Sequence, residues 1–199
     1  MKAHKLQLKL YVQPESAKTV KPEAFVPVFH RFIKDRVLPE LAIDVANYDH
    51  VPHGPGVVLI GHGSDYFMDE AEGRIGLLHN RKRSGLGEGD RLSDLSRRTL
   101  HVASLLEKEV AGLKFATNEL LFKINDRLAG PNTDATFAEV KGELEALGKQ
   151  LFGGPVELSR VGGPKELFAV RIKGQAGASL ATLLERAGGV PAADASLVA

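Results

Sequence analysis

The chain has 199 residues, with 26 Lys and Arg against 25 Asp and Glu, and a net charge of +1. That length supports one domain with a real core, or at most two small ones. The near-neutral charge argues against a protein that coats nucleic acid or an acidic membrane, and the lack of cysteine excludes disulfides, thiolate zinc sites, iron–sulfur clusters and a cysteine nucleophile.

The N-terminal segment MKAHKLQLKLYVQPES lacks the continuous apolar stretch of a signal peptide. No apolar run approaches the length of a membrane span, so a cytoplasmic protein is expected. Leu6, Leu8, Leu10 and Val12 alternate with Lys5, Gln7, Lys9 and Tyr11, which predicts a half-buried strand. A polar connector from Pro14 to Pro22 follows. Phe25, Val28, Phe29, Phe32 and Ile33 then fall at helical spacing, and Pro27 places the start of that helix close by. Leu41, Ile43 and Val45 mark a second strand. His50 to Gly56, with two prolines and two glycines, reads as a loop. Val57 to Ile60 is a short apolar run expected of a central strand, read as continuing through Tyr66. Asp69 to Gly73 is a turn, from which Ile75 to Lys82 returns antiparallel.

Arg83 to Gly89 is a charged, glycine-rich linker, and Asp90 is placed to cap the next helix. Leu92, Leu95, Thr99, Val102, Ala103, Leu106 and Val110 carry that helix. Leu120, Phe122 and Ile124 then mark a strand. Thr133 or Asp134 caps a third helix with the stripe Phe137, Val140, Leu144, Leu147 and Leu151. Val156–Val161 and Glu166–Lys173 form a hairpin, and Ser179–Ala187 a last short helix. The small, polar tail, residues 191–199, reads as disordered. The expected class is α+β: a mixed or antiparallel sheet with helices mainly on one face. Residues 1–190 form one domain in this reading, with a suggested pair of β-α-β-β-α halves, 1–89 and 90–190. A split ferredoxin-like pair, a roadblock- or profilin-like sandwich and an irregular roll stay open.

Chemistry concentrates between Leu41 and Arg83, where four of the seven histidines lie among carboxylates and glycines. Gly61-His62-Gly63-Ser64 after an apolar strand imitates the nucleophile elbow. However, G-x-S-x-G needs serine where Gly63 stands, so Ser64 reads as a decoy. Asp49-His50-x-x-His53, with His62, offers ligands for a divalent metal, though on a loop rather than one helix face. The same groups suit acid–base work, with His62 and His53 as bases and Asp44 or Asp65 orienting them. Asp44 must face solvent or have a partner; His62, Arg74 and His79 are the candidates. His79 and His50 read as incidental, and His30 and His101 as solvated. Arg81, Lys82, Arg83 and Gly87 lead into a helix N-terminus and are weak candidates to hold a phosphate or nucleotide. Their spacing matches neither glycine-rich nucleotide motif.

At HVPHGPGVVLIGH and GRIGLLHNRKR the chain resembles bacterial hypothetical proteins that carry no assigned activity. The resemblance implies a free-standing bacterial protein and transfers no catalytic or binding residue. The functional expectation is a non-catalytic module that binds a protein partner or small ligand, with a homodimer allowed, no nucleic acid, no membrane and no cofactor beyond a divalent metal. The alternatives are an enzyme built on the His53/His62/Asp cluster and a phosphate binder built on the 81–91 loop.

Overall fold

The structure, a computed structural model, describes residues 3–51, 54–82, 90–175 and 177–193. The linker 83–89 and the tail from 194 lie outside the described residues, as do His53, Arg83 and Gly87. Eight strands form a single antiparallel sheet: β1 (Leu6–Val12), β2 (Ala42–Asn47), β3 (Val57–Gly61), β4 (Ser64–Asp69), β5 (Gly76–Arg81), β6 (Phe115–Ile124), β7 (Glu157–Val161) and β8 (Phe168–Lys173). Their spatial order is β2-β3-β4-β5-β1-β6-β8-β7. The first strand of the chain is therefore central, paired to β5 on one side and β6 on the other.

The helices are α1 (Pro14–Ala17), α2 (Phe25–Lys34), α3 (Arg91–Glu109), α4 (Asp134–Phe152) and α5 (Leu180–Arg186). Capping follows the residue chemistry. Asp90 accepts from the Leu92 and Ser93 amides, Thr133 from Thr136, and Ser179 from Thr182, each satisfying donors that a helix start leaves free. Leu6, Leu8 and Leu10 of β1 join Leu59, Tyr66, Leu77, Phe122 and Val170 of neighbouring strands in one core with Phe29, Leu95, Leu106, Leu144 and Leu183 of the helices. All the longer helices thus cover one face.

Two expectations need correction. Residues 57–66 are not one strand: the chain reverses at His62-Gly63, with Ile60 opposite Asp65. Only two glycines flank His62 there, without the Asn-Gly or Asp-Gly that usually announces a tight turn. Nor is β1 half-buried. All seven of its residues are buried, and Lys9 on the helix-free face has 0% exposure. Alternation assigns faces but does not say what covers them; here the β4–β5 loop and neighbouring side chains do.

Two glycines of α4 make opposite predictions. A methyl at buried Gly148 would stand 2.9 Å from methyls of Ile172 and Val156, whereas one at exposed Gly142 meets nothing within 4 Å. Gly142→Ala should raise the unfolding free energy by about 0.5–1 kcal/mol through helix propensity. Gly148→Ala should lower it by about 1–3 kcal/mol, because β-branched neighbours cannot yield. Urea denaturation of the two variants checks both signs.

Candidate functional site

The structure separates His50 from the other residues that the sequence grouped, while strand register sets Asp44 and Asp65 on either side of Ile60, next to the turn that carries His62. His62 is exposed on the β3–β4 turn, and His50 is exposed in the turn after β2. They flank opposite ends of the five-residue β3, which alone separates them by about 16 Å. Asp44 is exposed on the edge strand, where its carboxylate accepts from the Val45 amide. Asp65 pairs with Lys82 at 2.7 Å. Lys82 also donates to the Gly61 carbonyl at 2.7 Å, so it fastens the β3–β4 turn to the end of β5. Arg81 is buried and donates to the His4 carbonyl at 3.2 Å. Arg81 and Lys82 of the 81–91 candidate are thus engaged within the fold, while Arg83 and Gly87 lie outside the described residues. Among the described residues, no three His, Asp or Glu side chains gather closely enough to hold a metal.

What the structure does assemble is a polar core between β4, β5 and α3, from residues the sequence reading set aside. His79, called incidental, has 0% exposure. Its Nδ1 lies 3.2 Å from the Leu95 carbonyl and 3.0 Å from Thr99 Oγ1. A carbonyl only accepts, so Nδ1 carries the proton. Nε2 then accepts from Ser64 Oγ at 2.9 Å. Tyr66 stacks on the imidazole with centroids 4.6 Å apart and donates to Glu40 at 2.7 Å. Arg98, bonded to Asp94, lies 3.8 Å from the same Glu40 oxygen.

A serine hydroxyl donating to a histidine is half of a nucleophile's machinery. Here it is sealed: Ser64, like His79, has 0% exposure, and a backbone carbonyl stands where a carboxylate would orient the ring. Burial pushes the His79 pKa down to about 3, overcoming the opposing effect of the Leu95 hydrogen bond. The imidazole is a neutral structural part, not a base at the surface. Burial also lowers the pKa of His101, which hydrogen-bonds to the Val37 backbone. The expectation of a solvated His101 is therefore overturned: it is 8% exposed. Between α2 and β2, Val37 approaches His101 and Glu40 approaches Arg98 of α3, which sequence spacing alone does not reveal.

The helix-free face carries a second set of groups. Lys9 Nζ donates to Asp69 at 2.6 Å, to the Ala71 carbonyl at 3.0 Å and to Glu72 at 3.4 Å. Lys123 also holds Glu72. The Arg74 guanidinium lies 3.7 Å from the Tyr11 ring centroid and grips Glu119 with two hydrogen bonds, while Arg171 reaches the same carboxylate at 3.1 Å. Cavities of about 410 and 430 Å³ share Glu70 and Gly73 in the β4–β5 loop. Val12, Pro14, Ala17 and Ile75 line the first; Tyr48, Val51, Gly54 and Glu72 line the second. Residues 70–73 emerge as functional candidates that the sequence reading passed over as a turn. The one available signal was a charged turn, Asp69-Glu70-Ala71-Glu72, beside a strand carrying Lys9.

The pH dependence of stability follows from His79. Its folded pKa of about 3 lies below the ordinary 6.5, so between these values the unfolded chain binds the extra proton. Its stabilising contribution is complete above pH 6.5 and is lost as pH falls toward 3, by at most about 1.4 kcal/mol per pH unit; His101 acts with the same sign. Denaturant titrations at pH 7.5, 6 and 5 should show the loss, and His79→Gln should flatten it. An unchanged slope in that variant would assign the effect elsewhere. No protein-family model matches this chain, and no curated protein shows significant similarity to it.

Proposed function

We propose that the protein works by binding, not catalysis, and that its ligand is a small molecule seated beside the β4–β5 loop. The observation carrying this reading is the pair of cavities of about 410 and 430 Å³ that share Glu70 and Gly73. Both fall in the size range of small-ligand sites, about 300–1,000 Å³. The second brings apolar Tyr48 and Val51, both substantially exposed, next to the charged groups of the loop. That mixture of apolar wall and few polar groups suits ligand recognition. The catalytic alternative, an enzyme built on His53, His62 and an Asp, has less support: His53 lies outside the described residues, His62 stands exposed on a turn beside Asp44 and Asp65, and the Ser64–His79 pair is closed to substrate. A cysteine-free chain fits a cytoplasmic setting, and no described helix is long and apolar enough to cross a membrane.

A fragment mixture of aromatic acids, amines and nucleosides, followed by amide NMR, tests the assignment. Saturable shifts should concentrate at Tyr48–Val51, Gly54, Gly56 and Glu70–Ile75. Ala17→Phe, which fills the first cavity from its wall, should remove the shifts at Gly73–Ile75. Shifts confined to the other end of the sheet, or none with any fragment, would refute the proposal.

A further inference from the structure

We infer that Lys9 and Lys123 form an oxyanion-binding site on the helix-free face, and that Glu72 occupies it as an internal plug. The inference rests on the reading of this end of the sheet as a binding surface and gives that surface a ligand chemistry. An ammonium has three protons to donate. Those of Lys9 meet Asp69, the Ala71 carbonyl and Glu72, with Glu72 the most distant of the three at 3.4 Å. The Asp69 side chain is 8% exposed, whereas that of Glu72 is 38% exposed. Glu72 is therefore the carboxylate of Lys9 that exchanges with solvent most readily.

The backbone points the same way. Glu72 sits at φ 61°, ψ 20°, a left-handed conformation that glycine or asparagine adopts far more readily. Strain of this kind persists only where surrounding contacts impose it. Within 70–73 only Ala71 is half-buried, so the segment is held by the hydrogen bond from the Gly73 amide to the Glu70 carbonyl, by Lys9 on the Ala71 carbonyl and by the ion pairs of Glu72 with Lys9 and Lys123. Burial pushes the Glu72 carboxyl pKa up, but Lys123 and Lys9 outweigh it and hold it below the ordinary value. The plug is thus charged at neutral pH.

The ion pairs set the sign of the ligand's charge. Lys9, Lys123, Arg74 and Arg171 face Asp69, Glu72 and Glu119, and Glu70 adds a further carboxylate at the lining of both cavities. With Glu72 swung out, Lys9 and Lys123 lose the negative charge that an oxyanion restores. Lys9 keeps Asp69 and Ala71, and its third proton joins Lys123 in facing the vacated position. Glu72 lines the cavity of about 430 Å³, so the rest of a ligand has space adjoining its charged end. The shared chemistry is a small oxyanion, either phosphate or a dicarboxylate.

The test uses Glu72→Gln, which keeps the size and removes the charge, with Glu72→Gly as a second variant that also relieves the backbone. Inorganic phosphate and malonate are titrated separately into each protein at low ionic strength, against chloride at matched ionic strength. Calorimetry gives Kd and thermal melting gives the shift in Tm. Both variants should bind phosphate, malonate or both at least about tenfold more tightly than the wild-type chain, as expected when a competing internal state is removed. Phosphate alone would identify a phosphate ligand and malonate alone a dicarboxylate. Adding Lys123→Ala to Glu72→Gln should abolish the gain. Equal affinity in wild-type and both variants, or a gain that survives Lys123→Ala, would overturn the plug. Fragment shifts at the cavities that persist in such a case would separate that failure from failure of the binding reading.

Discussion

A lysine ammonium with no exposed surface, in the central strand of the sheet, organises much of this molecule. Charge of that kind is stable in an interior only when its donors are met, and Lys9 meets all three of its own within one loop. The consequence is geometric. β1 is fixed by backbone pairing to β5 and β6, so the Lys9 side chain dictates where the β4–β5 loop must lie. That loop is drawn across the helix-free face rather than extending past the sheet. Arg74 at its far end is then set over Tyr11 and within reach of Glu119. Removing Lys9 would leave the buried Asp69 carboxylate without this cation, which costs far more than the pair contributes.

The two faces solve the same problem differently. On the helix side, the polar groups are neutral or closely compensated, and their hydrogen bonds select one seating of α3 on β4 and β5. His79 illustrates this: its two nitrogens bond α3 through Leu95 and Thr99 and β4 through Ser64. A rotation of α3 by one residue would break both α3 contacts. Such a network adds specificity that leucine packing alone lacks. On the other face, charges are retained and partly solvated, and the loop they hold has little apolar anchorage. Segments of that kind open at lower free energy than packed cores.

The pattern of elements was legible because it depends on local rules. Alternation in β1, capping by Asp90 and Thr133, and the stripe Val140, Leu144, Leu147, Leu151 each need only a few neighbouring residues, and all are present in the fold. Pairing partners were not legible. Lys9 and Asp69 are 60 residues apart, and His79 and Thr99 are 20. Nothing local distinguishes a solvated lysine in an alternating strand from one sealed beneath a distant loop. The histidine-rich stretch is divided for a related reason: an extended strand carries His50 and His62 apart, while pairing of β2, β3 and β4 sets Asp44 and Asp65 on either side of Ile60. The hairpin at His62-Gly63 then turned Ser64 back alongside β5, which made Ser64 and His79 partners.

The same distribution of charge bears on function. Catalytic groups must be both activated and reachable. Among the described residues, Ser64 and His79 pair with each other but are buried, while His50 and His62 stand exposed at opposite ends of β3 and His30 is exposed on α2. Binding has a looser requirement: a preformed surface, some unsatisfied or exchangeable polar contact, and space. The β4–β5 loop offers all three, since it borders two cavities and contributes an accessible carboxylate held by two lysines in a conformation that its side chain disfavours. A carboxylate in that position is a charge the protein supplies to its own cations. In the binding we propose, a ligand of like charge replaces it without creating a new site or leaving a buried lysine unpaired, because Asp69 stays with Lys9 throughout.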